Sequence, residues 1–257
     1  MVQRYGYRPQ DKILNFNKKS KAMIDIQKAL AAPIDLNEIV QYKLHDDQYM
    51  KEETPKSQIF IHHTAGNSNP FNAIDFWNSN PTRVGTAFCI GGKTSGNKWK
   101  DGDIVQAFSS KFWCYHLGLQ EATFKKYGVP YKSLDKNSVG IEINNWGGLQ
   151  LKEGKFITYV GTEVPADEVV EYATPFRGYK YYHKYTDKQI ENMIRLVKYL
   201  CEKFNISKVY NEDMWDISGR ALSGTNGIWT HTSVRPDKSD VHPQKELIDA
   251  LKLLALG

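Results

Sequence analysis

Two short apolar runs constrain the fold most, because each has the composition of a β-strand that is buried on both faces. They cover residues 59–63 and 139–143. A long amphipathic pattern follows at residues 187–204, where apolar side chains recur at helical period on one face. Thr186 and Gln189 have the spacing of a capping box at its start. Buried strands that alternate with helices are typical of an α/β domain.

Weaker signals extend this pattern along the chain. Asn69 and Pro70 supply a cap residue and a proline at the first helical position, which starts a helix through Trp77. The other predicted elements are strands at 84–90 and 103–108 joined by a loop at 91–101, a hairpin at 149–160 that turns at Glu153–Gly154, and a final helix after Pro243. We therefore predict an α/β fold in which a mixed central β-sheet is flanked by α-helices.

The composition is that of an ordinary globular protein. The 257 residues are 40% hydrophobic and 25% charged, and the net charge of +5 comes without a dense basic run, so we expect no nucleic-acid partner. No apolar run reaches the roughly 18 residues of a membrane helix, so we expect no membrane insertion. Cys89, Cys114 and Cys201 are few and far apart, which argues against a disulfide framework and a thiolate zinc cluster.

Two other chemistries are disfavoured by their motifs. Gly92–Lys93–Thr94 resembles the end of a phosphate-binding loop, but the first glycine of that motif would fall at Ala87, and no helix is predicted to follow. No serine has the G-x-S-x-G context of a serine hydrolase. We therefore predict neither nucleotide binding nor serine-dependent hydrolysis.

The first 56 residues differ from the rest of the chain. We predict that residues 1–56 form an N-terminal appendage and that residues 57–257 form the main domain. The appendage contains Lys18–Lys19 and a predicted short helix over residues 23–30, which ends near Pro33. Its role is open between docking to a partner and simple packing on the main domain.

A pair of histidines, His62 and His63, ends the first apolar strand. Side chains alternate between the two faces of a strand, so only one of the pair can face a given site. A histidine at a strand end lies over the edge of a sheet, where binding sites form. The alternative is that both histidines are structural.

A carboxylate, Glu142, interrupts the second apolar strand. Val139, Ile141 and Ile143 share one face of that strand, whereas Glu142 lies on the other face with Gly140. A carboxylate that is buried there without a partner would be costly. Either this face is solvated, or Glu142 has a function, such as a general base with a raised pKa.

A third candidate lies near the end of the chain. His231 and Asp240 are joined by a proline-containing loop and can converge on one metal ion, with Lys238 placing a positive charge beside it. Two histidines and one carboxylate, with one coordination position left open, are typical of catalytic zinc rather than structural zinc. His242 lies close enough to compete with Asp240 as a ligand.

Five segments occur in the order that is characteristic of one enzyme family. They are Ile61–His62–His63–Thr64–Ala65–Gly66, residues 85–90, Tyr115–His116–Leu117–Gly118, Asn137–Ser138–Val139–Gly140–Ile141–Glu142, and His231 with Lys238–Ser239–Asp240. With these segments the chain resembles the type 2 N-acetylmuramoyl-L-alanine amidases, which include phage lysozyme-like amidases, bacterial cell-wall recycling amidases and animal peptidoglycan recognition proteins. The resemblance covers residues 57–256.

The resemblance implies a zinc cofactor at the floor of a surface groove, with His62, His231 and Asp240 as the metal ligands. Glu142 matches the catalytic glutamate of the family. Lys238 matches the lysine two positions before the last ligand. We therefore expect Glu142 to act as general base and Lys238 to stabilise the oxyanion.

The resemblance also implies residues that bind substrate. His116 matches a histidine that lines the substrate cleft, and we expect Thr86 and His63 to contribute to the wall of the same site. Many relatives have a tyrosine at the position of Thr86, where it assists catalysis, and its absence leaves Glu142 as the main candidate base. Some phage relatives use cysteine as the third ligand, where this chain has Asp240.

The activity implied by the resemblance is cleavage of peptidoglycan between the lactyl group of N-acetylmuramic acid and L-alanine. Residues 1–16 lack the apolar segment of a signal peptide, so we expect the protein in the cytoplasm of a host bacterium, with action on the cell wall after release. It would be either a phage endolysin delivered through a holin or a virion-associated lysin. Two alternatives stay open, a non-catalytic peptidoglycan-recognition module and a structural component of a phage particle.

Overall fold

The computed structural model describes residues 21–257, so the predictions for Lys18–Lys19 and residues 1–16 lie outside it. The α-helices are α1 (Lys21–Ala31), α2 (Pro70–Asn78), α3 (Glu121–Lys126), α4 (Asp187–Phe204), α5 (Gly219–Leu222) and α6 (Lys245–Leu254). The strands are β1 (Val40–Gln41), β2 (Gln58–His63), β3 (Phe88–Ile90), β4 (Ile104–Gln106), β5 (Ser138–Ile143), β6 (Gly148–Lys152), β7 (Lys155–Ile157), β8 (Glu163–Val164), β9 (Val169–Phe176), β10 (Tyr179–His183) and β11 (Gly227–Thr230). None of the helices in residues 21–257 is long and apolar enough to span a membrane.

A mixed central sheet forms the middle of the molecule, as predicted. Its strand order is β1-β4-β3-β5-β2-β11. Neighbouring strands β3, β5, β2 and β11 are parallel, whereas β4 runs antiparallel to β3. The two apolar runs are the adjacent central strands β2 and β5, and every residue of β2 is buried. Strands β3 and β4 are shorter than the predicted 84–90 and 103–108, and β1 and β11 were not predicted.

Helix α4 has the capping box and the buried apolar face that its sequence predicts. The Thr186 side chain accepts a hydrogen bond from the backbone N–H of Gln189, and the Gln189 side chain accepts one from the backbone N–H of Thr186. Ile190, Ile194 and Val197 are fully buried in the core. Helices α1, α4 and α6 contact one another, so a layer of helices flanks the central sheet.

A second sheet separates β5 from α4 in the sequence, and we call it the accessory sheet. It consists of β6 to β10 in the antiparallel order β8-β7-β6-β10-β9. The predicted hairpin at 149–160 is present as β6 and β7, and it turns at Glu153 and Gly154, both with positive φ. Strands β8, β9 and β10 were missed.

The described part of the N-terminal segment packs on the main domain. The predicted helix over residues 23–30 is α1, and the Lys198 side chain donates a hydrogen bond of 2.7 Å to the Leu30 carbonyl. Strand β1 pairs with β4 at the edge of the central sheet, and Leu44 is buried in the core. The division at residue 56 stays a prediction.

Candidate metal centre

The central sheet brings three candidate residues to one edge. Strands β5, β2 and β11 are parallel neighbours, so their carboxyl ends meet at the same edge, where α/β proteins form their binding sites. His62 pairs in register with Glu142, and both side chains lie on one face of the sheet. His231 follows β11 directly. The backbone N–H of Thr232 donates to the Asp240 carbonyl over 3.0 Å, which holds the loop with Asp240 against this edge.

Three atoms that can bind a metal converge at this edge. Nδ1 of His62 lies 3.1 Å from Nδ1 of His231. Oδ2 of Asp240 lies 3.2 Å from the His62 nitrogen and 2.9 Å from the His231 nitrogen. Ligand atoms at bond lengths of about 2.0 to 2.2 Å from one zinc ion are close neighbours of this kind. These three residues therefore could hold a metal ion together.

Hydrogen bonds on the far side of each imidazole assign its tautomer. Nε2 of His231 lies 3.1 Å from the Leu117 carbonyl, which can only accept, so Nε2 carries the proton and Nδ1 is bare. Nε2 of His62 lies 3.0 Å from Nδ1 of His116. The tautomer of His62 therefore depends on that of His116, which Ser138 fixes.

The chain through Ser138 leaves the inner nitrogen of His62 bare as well. The Ser138 hydroxyl donates to the Leu134 carbonyl over 2.8 Å, so it accepts from Nε2 of His116 over 2.9 Å. His116 Nδ1 is then an acceptor, and His62 must donate to it from Nε2. Two bare nitrogens and one carboxylate oxygen therefore face one another without a proton between them. A cation removes that repulsion, so the residues present fit a zinc ion.

The electrostatics favour the protonation states that a metal requires. Burial and the neighbouring His231 lower the pKa of His62 to about 4, which keeps the imidazole neutral. Burial raises the pKa of Asp240, but the influence of the neighbouring His231 and His62 outweighs it, and the net pKa is lowered. Metal ligands must be neutral imidazole and ionised carboxylate, and His62 and Asp240 meet these conditions near neutral pH.

Glu142 lies beside these ligands with an uncompensated carboxylate. Its Oε2 atom is buried and has no hydrogen-bond partner among residues 21–257. Burial raises the pKa of Glu142, the negative charge of Asp240 raises it further, and Lys238 lowers it. Glu142 as a whole is half-buried, so its face of the strand is partly open while one carboxylate oxygen is shielded. The carboxylate has the raised pKa expected of a general base.

Lys238 is the nearby positive charge. Its ammonium lowers the pKa of Glu142 and also that of His62, so it is within electrostatic reach of both. The residue is half-buried. Its backbone N–H donates to the Arg235 carbonyl over 3.3 Å, which fixes the turn before Asp240.

The side chains of the three residues that we expected to bind substrate are buried. Thr86 is 1% exposed and its hydroxyl donates to the Phe88 carbonyl over 3.0 Å. His63 is 5% exposed and its Nδ1 accepts from the Tyr185 hydroxyl over 2.8 Å. The His116 side chain lies between His62 and a serine, so it orients a ligand here. Direct contact between these side chains and substrate stays a prediction that their burial does not support.

His242 is turned away from the metal ligands. Its Nδ1 accepts from the Tyr172 hydroxyl over 2.7 Å, and its Nε2 donates to the His183 carbonyl over 3.1 Å. The ring stacks on Tyr185 with centroids 4.3 Å apart. Since both ring nitrogens are engaged, the structure favours Asp240 over His242 as the third ligand.

Sequence reasoning missed the groups that orient the histidines. The Leu117 carbonyl and the Ser138 hydroxyl lie within quoted motifs, but backbone carbonyls leave no residue-type signal. Asp135 also escaped notice, although its Oδ1 accepts from the backbone N–H groups of His116 and Leu117 over 2.8 and 3.0 Å. A buried serine at the start of an apolar strand was the available signal for Ser138.

Comparison with known proteins gives one family match. The sequence matches the profile of the N-acetylmuramoyl-L-alanine amidase family over residues 52–244, which is more than half of the chain. No protein of curated function matches the sequence.

Solved structures resemble this chain at low sequence identity. The Staphylococcus aureus hydrolase AmiA, in complex with its ligand, is 10% identical, with a TM-score of 0.50 over 97% of this chain and 94% of that chain. PlyL is 12% identical, with a TM-score of 0.47 over 83% of this chain and 96% of that chain. A mutant endolysin from Bacillus subtilis is 16% identical, with a TM-score of 0.45 over 84% and 97%. At 10% identity the likeness to AmiA concerns the fold alone.

Proposed function

The chain belongs to the type 2 N-acetylmuramoyl-L-alanine amidase family, and from this premise we propose that it is a zinc-dependent peptidoglycan amidase. The bond cleaved is the amide between the lactyl group of N-acetylmuramic acid and L-alanine. His62, His231 and Asp240 hold the zinc, Glu142 is the general base, and Lys238 stabilises the oxyanion.

One observation carries this proposal. Three acceptor atoms from His62, His231 and Asp240 lie 2.9 to 3.2 Å apart, with their tautomers oriented so that no proton lies between them. A purely structural cluster would place a donor opposite each acceptor. The unpartnered carboxylate of Glu142 on the neighbouring strand adds the proton acceptor that hydrolysis needs.

Zinc bound by these residues would supply Lewis acidity, which makes water nucleophilic near neutral pH and polarises a carbonyl. His116 and the Leu117 carbonyl hold the imidazoles in the orientation that this requires. Such orienting groups typically change metal affinity by about 10- to 100-fold.

Glu142 moves the proton. A water oxygen forms a bond to the carbonyl carbon while Glu142 accepts the proton that the water loses. The bond between the carbonyl carbon and the L-alanine nitrogen then breaks, and Glu142 returns the proton to that nitrogen. A carboxylate whose pKa is raised by burial is suited to both transfers, since it accepts a proton more readily than an ordinary carboxylate.

Lys238 stabilises the negative charge that develops on the substrate. The carbonyl oxygen becomes negative as the water adds, and the Lys238 ammonium, within electrostatic reach of Glu142, offsets that charge. Fixed charges in a partly buried site act more strongly than in water.

The complete set of ligands and the carboxylate argue against a non-catalytic recognition module. Delivery to the wall as a free endolysin or as a virion component stays a prediction from the family resemblance. Detection of the protein in purified virions distinguishes the two.

The proposal is tested by zinc content and product analysis on purified peptidoglycan. We expect about one zinc per chain and new L-alanine N-termini without new reducing sugar ends. Activity should be lost to a chelator and restored by zinc. A metal-stripped protein that still digests peptidoglycan, or new reducing ends without new amino groups, would overturn it.

A further inference from the structure

The hairpin of β9 and β10 ends in a turn whose first residue does not suit its backbone. Arg177 and Gly178 form this two-residue turn between the paired residues Phe176 and Tyr179, and their φ angles are 46° and 87°. A two-residue hairpin turn with two positive φ angles prefers asparagine or aspartate followed by glycine. An arginine is strained in this left-handed region, so contacts of its side chain have to offset a conformational cost.

The Arg177 guanidinium reaches from this turn to residues 231–240, which we call the ligand loop. Its Nη2 donates to the Thr232 carbonyl over 2.9 Å, and its Nη1 donates to the Pro236 carbonyl over 3.2 Å. Nη2 also lies 2.7 Å from Oδ1 of Asp216, whose side chain is 85% exposed. Because exposed ion pairs contribute little, the two carbonyl contacts are the ones that define a geometry.

The two carbonyls lie close to residues of the proposed reaction. The backbone N–H of Thr232 donates to the Asp240 carbonyl over 3.0 Å, so Arg177 and Asp240 bind the same residue of the loop. Pro236 lies two positions before Lys238. Arg177 therefore restrains the backbone beside a candidate ligand and beside the candidate oxyanion group.

The half of the ligand loop that carries Lys238 has little packing to fix it. Residues 231–234 are buried, whereas residues 235–240 are half-buried or exposed. Segments with few buried contacts open locally at a low free energy. The hydrogen bond from Arg177 to Pro236 therefore restrains a part of the loop that burial does not.

The hairpin that carries Arg177 is itself anchored. Tyr182 of β10 is fully buried, and its hydroxyl donates to the Phe176 carbonyl, just before the turn, over 2.8 Å. The Tyr182 ring stacks on His242 with centroids 4.5 Å apart. The hairpin thus packs on the chain just after the ligand loop, and the guanidinium extends from a fixed base.

We propose that Arg177 is a positioning residue for the amidase reaction. From the tip of the accessory sheet it holds the ligand loop, so that Asp240 stays beside the two histidines and Lys238 stays beside Glu142. It acts through the backbone of the loop and does not touch the substrate. This inference rests on the proposed function and gives the accessory sheet a part in catalysis.

Arg177→Asn is the variant that tests the proposal. Asparagine suits the turn better than arginine, so the hairpin is kept, but its side chain is too short to reach either carbonyl. We expect zinc affinity, measured by competition with a chelator dye, to fall by about 10-fold. Hydrogen exchange of the metal-free variant should become faster in residues 235–240.

Turnover supplies an independent measurement at saturating zinc, with N-acetylmuramoyl-L-alanyl-D-isoglutamine as substrate. We expect kcat of Arg177→Asn to fall by about 10-fold with KM unchanged, because Lys238 acts on the charge that develops during the reaction. Arg177→Gly also suits a positive φ angle and should reproduce these effects. Asp216→Asn is the matched control, since it removes only the exposed ion pair with Arg177, and it should behave as the wild type.

Wild-type zinc affinity and wild-type loop exchange in both Arg177 variants would overturn the proposal, even if their thermal stability falls, because the arginine would then be merely structural. Equal losses in Asp216→Asn would overturn it as well, since the ion pair rather than the carbonyl contacts would be responsible. If the zinc-loaded wild type cleaves no muramoyl peptide, the proposed function fails instead. Zinc affinity and hydrogen exchange need no turnover, so they still decide whether Arg177 positions the loop.

Discussion

Replacing Asp240 with alanine should remove the zinc-dependent part of the protein's stability. The Asp240 carboxylate lies 3.2 and 2.9 Å from the two bare histidine nitrogens. In the proposed ligand set it would be one of three ligands and the only negative charge among them. A metal that binds the folded chain and not the unfolded chain stabilises it by RT ln(1 + [L]/Kd). Loss of a ligand therefore appears directly as a smaller stabilisation by zinc.

The size of the effect follows from that relation. At a free zinc concentration 100 times Kd, the wild type should gain about 2.7 kcal/mol. For a chain of this length that corresponds to a rise in Tm of about 5 to 10 °C. If Asp240→Ala weakens binding by at least 100-fold, as loss of a primary ligand should, the same zinc concentration gives about 0.4 kcal/mol or less.

The assay is thermal unfolding of chelator-treated protein with and without zinc, together with zinc content after dialysis. Asp237→Ala is the matched control, since Asp237 is an exposed carboxylate on the same loop and pairs with Arg235. His242→Ala should lower stability in both conditions but keep the zinc-dependent shift, because its ring nitrogens bond elsewhere. A full zinc shift in Asp240→Ala, or its loss in His242→Ala, would refute the assigned ligand set.

Four further outcomes are expected. Glu142→Gln should bind zinc normally and lose about 100- to 10,000-fold in turnover of peptidoglycan, since it cannot accept a proton; near wild-type turnover would move the base elsewhere. His116→Ala should weaken zinc affinity by about 10- to 100-fold, measured by competition with a chelator dye, because it removes the group that orients a ligand. Gly140→Ala should lower the free energy of unfolding by about 1 to 3 kcal/mol in urea titrations, since the added Cβ would lie 2.7 Å from Cγ2 of Thr86. Adding Thr86→Ser to that variant removes Cγ2 and should restore part of the lost stability. Burial lowers the pKa of Lys56 from 10.5 to about 8, so the unfolded chain binds the proton more tightly than the folded chain. As the pH increases from about 8 to 10.5, the unfolding free energy of the wild type relative to Lys56→Met should therefore rise by up to about 3 kcal/mol. A difference that does not change with pH would contradict the lowered pKa.

The central sheet could be predicted because its signals are local and strong. All residues of β2 are buried and its residues 59–61 are apolar, and the α4 pattern combines a capping box with a continuous apolar face. In these elements, burial and local propensity favour the same structure. The mixed sheet flanked by helices followed from the order of these elements alone.

The accessory sheet could not be predicted in the same way. Strand β9 is exposed or half-buried along its whole length, and β8 has only two residues. An antiparallel sheet with a solvated face gives at best a weak alternation, and its pairing depends on contacts between distant residues. Only the hairpin of β6 and β7 carried a turn signal, at Glu153–Gly154.

The candidate ligands came from the family resemblance together with the chemistry of their residue types. From the sequence, either His242 or Asp240 could be the third ligand. The two residues are two positions apart in a loop, and that spacing does not determine which side chain faces the metal. The structure favours Asp240 through contacts made elsewhere, since Tyr172 and the His183 carbonyl engage the His242 ring. Tyr172 and His183 belong to β9 and β10 of the accessory sheet, which the sequence did not predict, so the sequence could not decide between the two ligands.

The two histidines at the end of β2 belong to two separate sets of contacts, one on each face of the strand. Alternation along β2 sends His62 to the metal ligands and His63 to the opposite face, where its Nδ1 accepts from the Tyr185 hydroxyl over 2.8 Å. The same hydroxyl accepts from the backbone N–H of His242 over 3.2 Å. The loop that carries Asp240 is thus tied to β2 on both faces, once through the ligand cluster and once through Tyr185. Because the second tie does not involve the candidate metal ligands, it can hold Asp240 near His62 whether or not a metal is bound.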